Sequence, residues 1–283
     1  IAKPHIMTAV PRFYNNLFAK MQINLKNQSQ FKQNLFNQTI TLGTKKLYFQ
    51  NLSIKEKLIN FILDKLVRKK VKNNFGGRLE AFVSGGGPLD SKVGEALNAL
   101  GLKTLQGYGL TETSPVVSCN PLDKIKVDTV GPIFPGVTVK LSEDGEILVK
   151  GENLMSGYWN NLEATDQTIK NGWLHTGDIG EFDTDGYLKI TDRKKDIIVS
   201  LGGDNIAPSK LENLLTLSPD IEQACVFGEQ KNFIAALIIL ANNSKSTKDD
   251  IQNYINRINK DLTQPEKIKK FSFIDEHFTI ENN

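Results

Sequence analysis

Residues that could bind a phosphorylated ligand cluster in two short glycine-bearing stretches. The first is Ser84-Gly85-Gly86-Gly87-Pro88, and the second is Gln106-Gly107-Tyr108-Gly109-Leu110-Thr111-Glu112-Thr113. Glycine lets main chain come close to a ligand because no Cβ intervenes. Glu112 offers a carboxylate, a suitable ligand for a hard cation such as Mg²⁺. We therefore expect a nucleotide at these stretches, beside a metal ion held by Glu112.

An α/β pattern surrounds these two stretches. Residues 79–84 are typical of a buried strand, residues 89–100 of a helix and residues 102–107 of a second strand. This order of strand, glycine turn, helix and strand is found in mostly parallel sheets. Ligands of such sheets bind at the carboxyl ends of the strands, which is where both glycine stretches lie.

Periodicity and turn residues predict the flanking elements. Apolar residues recur at helical spacing over 11–34 and over 55–72, and the second of these segments is rich in lysine on its other face. Alternating residues around Glu143-Asp144-Gly145 and Asp183-Thr184-Asp185-Gly186 predict two hairpins. The second turn resembles the opening of a calcium loop. A tight turn is the better interpretation, because Tyr187 occupies a ligand position and no Glu closes the loop.

From Asp192 onward the composition changes, and we place a domain boundary there. Residues 1–191 are predicted to form the rear part of a large α/β domain, with a parallel-type sheet, helices and a β-hairpin subdomain. Residues 192–283 are predicted to form a small mobile α+β domain that is truncated at its end. The helices expected in it span 208–217 and 248–260, and the strands span 221–227, 233–241 and 271–274.

Composition excludes several classes of protein. The 283 residues are 39% hydrophobic and 24% charged, and no apolar run reaches the ~20 residues of a membrane helix. The two cysteines, Cys119 and Cys225, lack metal-binding spacing and suit a reducing cytoplasm. The chain begins with Ile1 rather than Met, so we expect it to be part of something longer.

Charge is distributed unevenly along the chain. Residues 1–75 contain 14 Lys or Arg against two acids, whereas the remainder contains 21 against 30. A basic front half could meet an anionic bilayer or a polyphosphate. The interpretation we favour is that these lysines are solvated and that the apolar face of their helix packs on a core. Interleaved arginine and aromatic residues are absent from the sequence, so no nucleic-acid partner is expected.

Five motifs, taken in order, resemble those of one family. They are Ser-Gly-Gly-Gly-Pro-Leu at 84–89, Tyr-Gly-Leu-Thr-Glu-Thr at 108–113, Trp-Leu-His-Thr-Gly-Asp at 173–178, Asp-Arg-Lys-Lys-Asp at 192–196 and Gly-Gly-Asp-Asn-Ile-Ala-Pro at 202–208. The set resembles the acyl-adenylate-forming (AMP-binding) superfamily, and Val-Pro-Arg-Phe-Tyr at 10–14 is similar to the long-chain fatty acid–CoA ligases. The resemblance implies adenylation of a fatty acid by ATP with Mg²⁺, then thioester formation with coenzyme A. It also implies a cytoplasmic enzyme, with or without contact to the inner face of a membrane.

Roles for single residues follow from the resemblance. Thr111 would hydrogen-bond the α-phosphate and Glu112 would help to hold Mg²⁺, so these two are the candidate catalytic residues. Tyr108 would present its ring to adenine, Asp178 would accept the ribose hydroxyls, and Arg193 would donate near the same sugar. The other expected nucleotide-binding residues are Gly85, Gly86, Gly87, Gln106, Gly107 and Gly109.

The small domain carries further implied roles. Lys195 would be the hinge about which it turns, and Gly202 and Gly203 would line the passage for coenzyme A. His175 matches a motif position, but a structural histidine is the better interpretation. Each site residue taken alone also has an ordinary explanation, such as a core tyrosine or a turn-forming aspartate. We prefer the functional interpretation for the ordered set.

Two family features have no counterpart in these 283 residues. One is the phosphate-binding loop ending in Pro-Lys-Gly, which the family carries upstream of the Val-Pro-Arg stretch. The other is a carboxy-terminal lysine, since Lys267, Lys269 and Lys270 precede the expected last strand. We therefore expect a ligase chain that is inactive by itself, lacks an upstream segment of the same protein and exposes apolar surface. The alternatives are a non-catalytic split or decayed remnant that binds nucleotide or a partner half, and a ligase for an aryl or medium-chain acid.

Overall fold

The structure is a computed structural model that describes residues 3–242 and 244–278. Contacts between residues divide the chain after Ile190 into two compact units, each with its own hydrophobic core. Within the described residues, no helix is long and apolar enough to cross a membrane.

Helices and a small parallel sheet open the first unit, and an antiparallel sheet closes it. In chain order the elements are β1 (Ile6–Ala9), α1 (Pro11–Lys26), α2 (Gln30–Leu47), α3 (Ile54–Leu63), a π-helical segment (Asp64–Arg68), α4 (Lys69–Asn73), β2 (Ala81–Ser84), α5 (Ser91–Ala99), β3 (Thr104–Tyr108), a 3₁₀ turn (Thr111–Thr113), β4 (Ser118–Cys119), β5 (Val137–Leu141), β6 (Glu146–Gly151), α6 (Leu162–Thr168), β7 (Ile169–Lys170), β8 (Trp173–Phe182) and β9 (Leu188–Arg193), which crosses into the second unit.

The parallel sheet brings both glycine stretches to one edge. β1, β2 and β3 pair in parallel, with Ala9 opposite Ser84 and Ser84 opposite Gln106. β4 pairs antiparallel with β3. Because the parallel strands end together, the chain leaves β2 into Gly85 and β3 into Gly109 at the same edge. The two strands and the intervening helix expected from the sequence are confirmed.

Aromatic packing holds the first helix on this sheet. Tyr14 of α1 is fully buried, and its hydroxyl donates to the Val83 carbonyl oxygen at 2.9 Å. The Tyr14 and Phe82 rings meet edge to face with centroids 5.3 Å apart. Burial raises the pKa of Tyr14, so its phenol remains a donor. The Val-Pro-Arg-Phe-Tyr stretch therefore fixes the position of β2, which ends at the glycines.

The predicted helix over 11–34 is two helices. α1 ends at Lys26 and α2 begins at Gln30, because the intervening Asn27, Gln28 and Ser29 are polar residues that favour turns. Residues 55–72 are helical as predicted, but the helix is interrupted by the π segment. The expectation that the apolar face of this helix packs on a core is wrong. Leu63 is buried, but five large apolar side chains of the helix are exposed, namely Ile54, Leu58, Phe61, Ile62 and Leu66.

The antiparallel sheet has the order β5-β6-β8-β7, with β9 paired to β8. Both predicted hairpins are confirmed, and so is the tight-turn interpretation of residues 183–186. The Asp183 carboxylate accepts from the main-chain N–H groups of Asp185 and Tyr187, each at 2.9 Å. Lys126 contacts the carboxylates of both Asp183 and Asp185, so these oxygens serve the turn rather than calcium.

The second unit is a small α+β fold. Its elements are β10 (Ile198–Val199), β11 (Asn205–Ile206), α7 (Pro208–Thr216), β12 (Ile221–Phe227), β13 (Ile234–Leu240), α8 (Lys248–Ile258) and β14 (Ile268–Phe273). β13 pairs antiparallel with β12 and parallel with β14. The last strand begins earlier than expected, so Lys269 and Lys270 lie within it rather than before it. Residues 279–283, where the truncation was expected, lie outside the described residues.

Candidate functional site

Glycine meets two different backbone requirements at the strand-end edge. Gly86 has φ of +80°, a left-handed conformation that glycine adopts without strain. Gly109 follows β3 where the chain doubles back, and a Cβ there would overlap the Pro115 carbonyl oxygen. The absence of a Cβ at Gly109 therefore accommodates the chain's own Pro115, whereas a Cβ on Gly85, Gly86 or Gly87 would meet no atom closer than 3.7 Å. Access of a ligand to either stretch stays a prediction.

Gln106 has a structural task inside the sheet. Its side chain is buried, and its Oε1 accepts from the main-chain N–H of Leu89 at 3.2 Å. Its Nε2 donates to the Val127 carbonyl oxygen. These bonds fix β3 against the start of α5. A direct contribution of Gln106 to nucleotide binding would come from its main chain.

Tyr108 and Asp178 form a buried pair. Each residue is only 8% exposed, and the Tyr108 hydroxyl donates to Asp178 Oδ2 at 2.6 Å. Tyr108 lies at the end of β3 and Asp178 lies in β8. The bond therefore joins the parallel sheet to the antiparallel one and brings together two motifs that are 70 residues apart in sequence.

Glu146 positions the Asp178 motif and was not predicted as a site residue. It is buried, its Oε1 accepts from the Gly177 N–H at 3.0 Å, and its Oε2 lies 3.4 Å from His175 Nδ1. Thr176 donates to the Ile147 carbonyl oxygen at 2.8 Å. The structural interpretation of His175 agrees with this contact. In the sequence, Glu146 is an acidic residue at the start of an apolar strand. An acidic residue in that position is usually exposed, so its burial was not expected.

Thr111 and Glu112 lie on a short turn that hydrogen bonds hold in place. The Thr113 hydroxyl accepts from the Leu110 N–H at 2.9 Å and is itself buried. The Glu112 carbonyl oxygen accepts from the Met155 N–H at 2.8 Å. Thr111 is exposed and Glu112 half-buried, so both side chains remain accessible.

Tyr158 holds the Glu112 carboxylate. Its hydroxyl donates to Glu112 Oε1 at 2.8 Å, and this bond, with burial, raises the pKa of Tyr158. A half-buried carboxylate fits Mg²⁺ as one oxygen ligand. No group of three His, Cys, Asp or Glu that could hold a metal lies in the described residues. A magnesium ion at Glu112 would therefore need phosphate oxygens as further ligands.

The remaining predicted residues follow the division after Ile190. Arg193 ends β9, and its carbonyl oxygen accepts from the N–H groups of Asp196 and Ile197 at 3.0 and 3.1 Å. Lys195 is exposed within this turn. Gly202 and Gly203 form the tip of the β10–β11 hairpin, which Ser200 closes through its hydroxyl. Their proximity to a nucleotide or to coenzyme A stays a prediction.

Family models match both parts of the chain. One described as AMP-binding enzyme matches residues 2–159, more than half of the sequence. The chain belongs to the AMP-binding enzyme family. A second model, described as AMP-binding enzyme C-terminal domain, matches residues 195–277. The resemblance drawn from the five ordered motifs is thereby confirmed.

The similar proteins include fatty-acid ligases. This AMP-binding chain is 38% identical to long-chain-fatty-acid–CoA ligase FadD15 of Mycobacterium bovis, over 85% of the chain and 40% of that protein. It is 32% identical to long chain acyl-CoA synthetase 5 of Arabidopsis thaliana, over 95% of the chain and 42% of that protein. The chain thus spans about two fifths of the length of the curated relatives it matches.

A solved structure confirms the fold class. The o-succinylbenzoate CoA synthetase of Bacillus subtilis, in complex with ATP and magnesium ion, matches with a TM-score of 0.60 and 29% identity. The match covers 70% of this chain and 43% of that one. The mixed α/β architecture is therefore that of an adenylate-forming enzyme.

Proposed function

We propose that this chain provides the adenylate-binding and thioester-forming parts of an ATP-dependent long-chain fatty acid–CoA ligase. The fatty-acid carboxylate would attack the α-phosphorus of ATP and release pyrophosphate, and the acyl group would then pass to the thiol of coenzyme A. The Tyr108–Asp178 bond of 2.6 Å carries the proposal, because it places two motifs in one buried pair beside the strand-end glycines. The proposal that the substrate is a long-chain fatty acid rests on the names of the curated relatives.

Nucleotide binding would use groups that are already fixed in place. Asp178, held by Tyr108 and by the turn at Gly177, would accept from the ribose hydroxyls. Adenine would lie along the bare main chain of 85–87, next to Tyr108 at the end of β3. The Thr111 hydroxyl would donate to the α-phosphate as negative charge builds there.

Glu112 would contribute one oxygen to magnesium, and the phosphates would complete its ligands. The ion would supply neutralisation of phosphate charge when it is bound. Tyr158 occupies Oε1 of Glu112, and this orients the carboxylate before any ligand arrives.

The second unit would serve the thioester step. Lys195 is exposed in a charged turn, as a hinge residue must be if its φ and ψ are to change. Gly202 borders a pocket of about 280 Å³ that Lys231 and Lys269 also line. These cations suit the phosphates of coenzyme A, with its pantetheine passing the glycines. Arg193 would donate near the ribose.

Palmitate-dependent ATP–pyrophosphate exchange tests the proposal. It is measured on this chain and on the longest native protein that contains the sequence. We expect exchange by the longer protein and none at a useful rate by the chain alone, because its 283 residues contain no Pro-Lys-Gly loop. An inactive longer protein would overturn the ligase assignment. Exchange by the chain alone would show that the missing loop and lysine are dispensable.

The alternative from a different class is a non-catalytic protein that binds nucleotide. Calorimetry with AMP separates the two, since binding without turnover in the longer protein favours the non-catalytic one. The aryl-acid alternative is supported by the name of the Bacillus subtilis protein. A panel of palmitate, octanoate and benzoate on the longer protein would distinguish it from a long-chain ligase.

A further inference from the structure

Strand β8 carries two extra residues where it pairs with β6. Leu148 pairs with His175 and Glu146 pairs with Ile179, so β6 contributes one residue between these pairs and β8 contributes three. We call these three residues, 176–178, the bulge. Bulges interrupt the hydrogen bonds of a sheet and re-aim side chains, and they are frequent next to active sites. The last residue of this bulge is the buried aspartate of the candidate site.

Two side chains replace the main-chain hydrogen bonds that the bulge interrupts. The Thr176 hydroxyl donates to the Ile147 carbonyl oxygen at 2.8 Å and accepts from the Asp178 N–H at 3.1 Å. Glu146 Oε1 accepts from the Gly177 N–H at 3.0 Å. Gly177 has φ of +71°, which glycine adopts without strain. Thr176 and Glu146 therefore fix the main chain from which the Asp178 side chain projects.

The burial of Glu146 is unfavourable for the sheet by itself. The residue is only 7% exposed, and transfer of a carboxylate out of water costs free energy that its hydrogen bonds must offset. A regular antiparallel ladder would pair its main-chain groups without any carboxylate. What the bulge adds is the direction of Asp178, whose Oδ2 accepts from the Tyr108 hydroxyl of the other sheet at 2.6 Å. The buried glutamate is therefore explained by its effect on Asp178.

We propose that Glu146 and Thr176 are positioning residues that determine how strongly the site prefers a ribonucleotide over a nucleotide without ribose hydroxyls. They act through the main chain of the bulge, which holds the Asp178 carboxylate where it accepts from both hydroxyls. Hydrogen bonds weaken steeply when their angles change, so a shift of the bulge loses contacts to the ribose and leaves those to adenine and phosphate. This assignment rests on the proposed role of Asp178 in ribose binding.

Calorimetry on the longer native protein, with AMP and with 2′,3′-dideoxy-AMP, tests the proposal. We expect the parent to bind AMP at least about a hundredfold more tightly, because the dideoxy compound brings no hydroxyl donors to Asp178. Glu146→Ala and Thr176→Val should each reduce that preference at least about tenfold. The reduction should come from weaker AMP binding, with the affinity for 2′,3′-dideoxy-AMP unchanged.

Conservative variants separate positioning from the loss of a buried side chain. Glu146→Gln keeps an oxygen that can accept from the Gly177 N–H, and Thr176→Ser keeps the hydroxyl, so both should retain the preference within about threefold. The matched control is Glu212→Ala in the second unit, since the half-buried Glu212 carboxylate accepts from the Val226 N–H at 3.0 Å. It should lower the melting temperature and leave the preference unchanged.

Four results would overturn the proposal. A parent-like preference in Glu146→Ala and Thr176→Val, with Asp178→Asn losing it, would exclude the positioning role and leave that of Asp178 intact. A parent without preference, or an Asp178→Asn variant that retains it, would remove Asp178 from the ribose site and so refute its proposed function as well. Equal losses for the two nucleotides would assign Glu146 and Thr176 to general stability. A Glu146→Gln variant as poor as Glu146→Ala would assign the effect to charge rather than to the bond with Gly177.

Discussion

At the scale of single residues, the Tyr108–Asp178 pair supports both folding and binding. Tyr108→Phe removes a hydrogen bond to a carboxylate, a loss of about 1.5–3 kcal/mol. We expect urea unfolding to show that decrease in the free energy of unfolding, and calorimetry to show weaker AMP binding. The control is Tyr187→Phe, whose hydroxyl donates to the neutral Lys124 carbonyl oxygen at 2.9 Å. It should lose only about 0.5–1.5 kcal/mol and keep its AMP affinity. Equal effects in the two variants would contradict the role of Asp178.

Glu112 allows a second test at this scale. Glu112→Gln keeps an oxygen that can accept from Tyr158 but removes the negative charge. In the longer native protein we expect the magnesium concentration for half-maximal exchange to rise by about tenfold or more, because an amide is a poor ligand for a hard cation. The matched control is Glu163→Gln, an exposed glutamate on α6. If magnesium dependence were unchanged, Glu112 would be removed from the metal site.

At the scale of elements, sequence patterns predicted the features that depend on residues close together in the chain. The β2–α5–β3 unit and the two hairpins follow from glycine turns and alternating residues, so they could be predicted. The break between α1 and α2 was missed, although its signal was present in the polar residues Asn27, Gln28 and Ser29. The exposed side of α3 was predicted wrongly, because apolar periodicity identifies a helix face without stating what covers it. Burial of that face depends on tertiary packing.

Gly43 shows packing overriding local preference. Glycine within a helix costs about 1 kcal/mol relative to alanine. Gly43 lies inside α2, and a Cβ on it would sit 2.5 Å from Ala99 Cα in α5. Gly43→Ala should therefore destabilise the protein by about 1–3 kcal/mol despite its better helix propensity. Asn37→Ala, exposed on the same helix, should be neutral or stabilising in the same urea titration. A stabilised Gly43→Ala would show that the two helices can separate freely.

The turn at 183–186 predicts that the stability of the protein depends on pH in the acid range. Hydrogen bonds from Lys126 lower the pKa of Asp183 and hold that of Asp185 at about 2, against an ordinary value of 3.8. A carboxylate with a depressed folded pKa stabilises the fold above its unfolded pKa, and this stabilisation is lost as the pH falls through the folded value. Lys126→Met should therefore lower the melting temperature at about pH 5, and the difference from the parent should shrink between about pH 4 and pH 2. A difference that grows towards low pH would exclude this explanation.

At the scale of the whole molecule, the site depends on contacts between distant parts of the chain. Motif order identified Tyr108 and Asp178 as candidates, but their mutual bond joins different sheets and has no local signal. Glu146 was missed for the same reason, since its partners lie about thirty residues later in β8. Sequence patterns thus named most of the candidate residues, while burial and pairing came only from the fold.

The two units should unfold separately. Each has its own core, with Phe82, Leu97 and Leu174 fully buried in the first and Leu211, Ile238 and Ile255 fully buried in the second. We therefore expect two transitions in scanning calorimetry. Leu211→Ala, at a cost of about 2–5 kcal/mol, should lower only the transition of the second unit and so identify it.

AMP should raise the melting temperature of the first unit. At about 100 times its dissociation constant it stabilises its binding unit by about 2.7 kcal/mol. That raises the melting temperature of a unit this size by roughly 5–10 °C. We expect the shift in the first unit, which contains Tyr108 and Asp178, and Asp178→Asn should abolish it. Asp166→Asn, an exposed aspartate on α6, is the control. A single transition, or a shift confined to the second unit, would mean that nucleotide binding does not reside in the buried pair and its strand-end glycines.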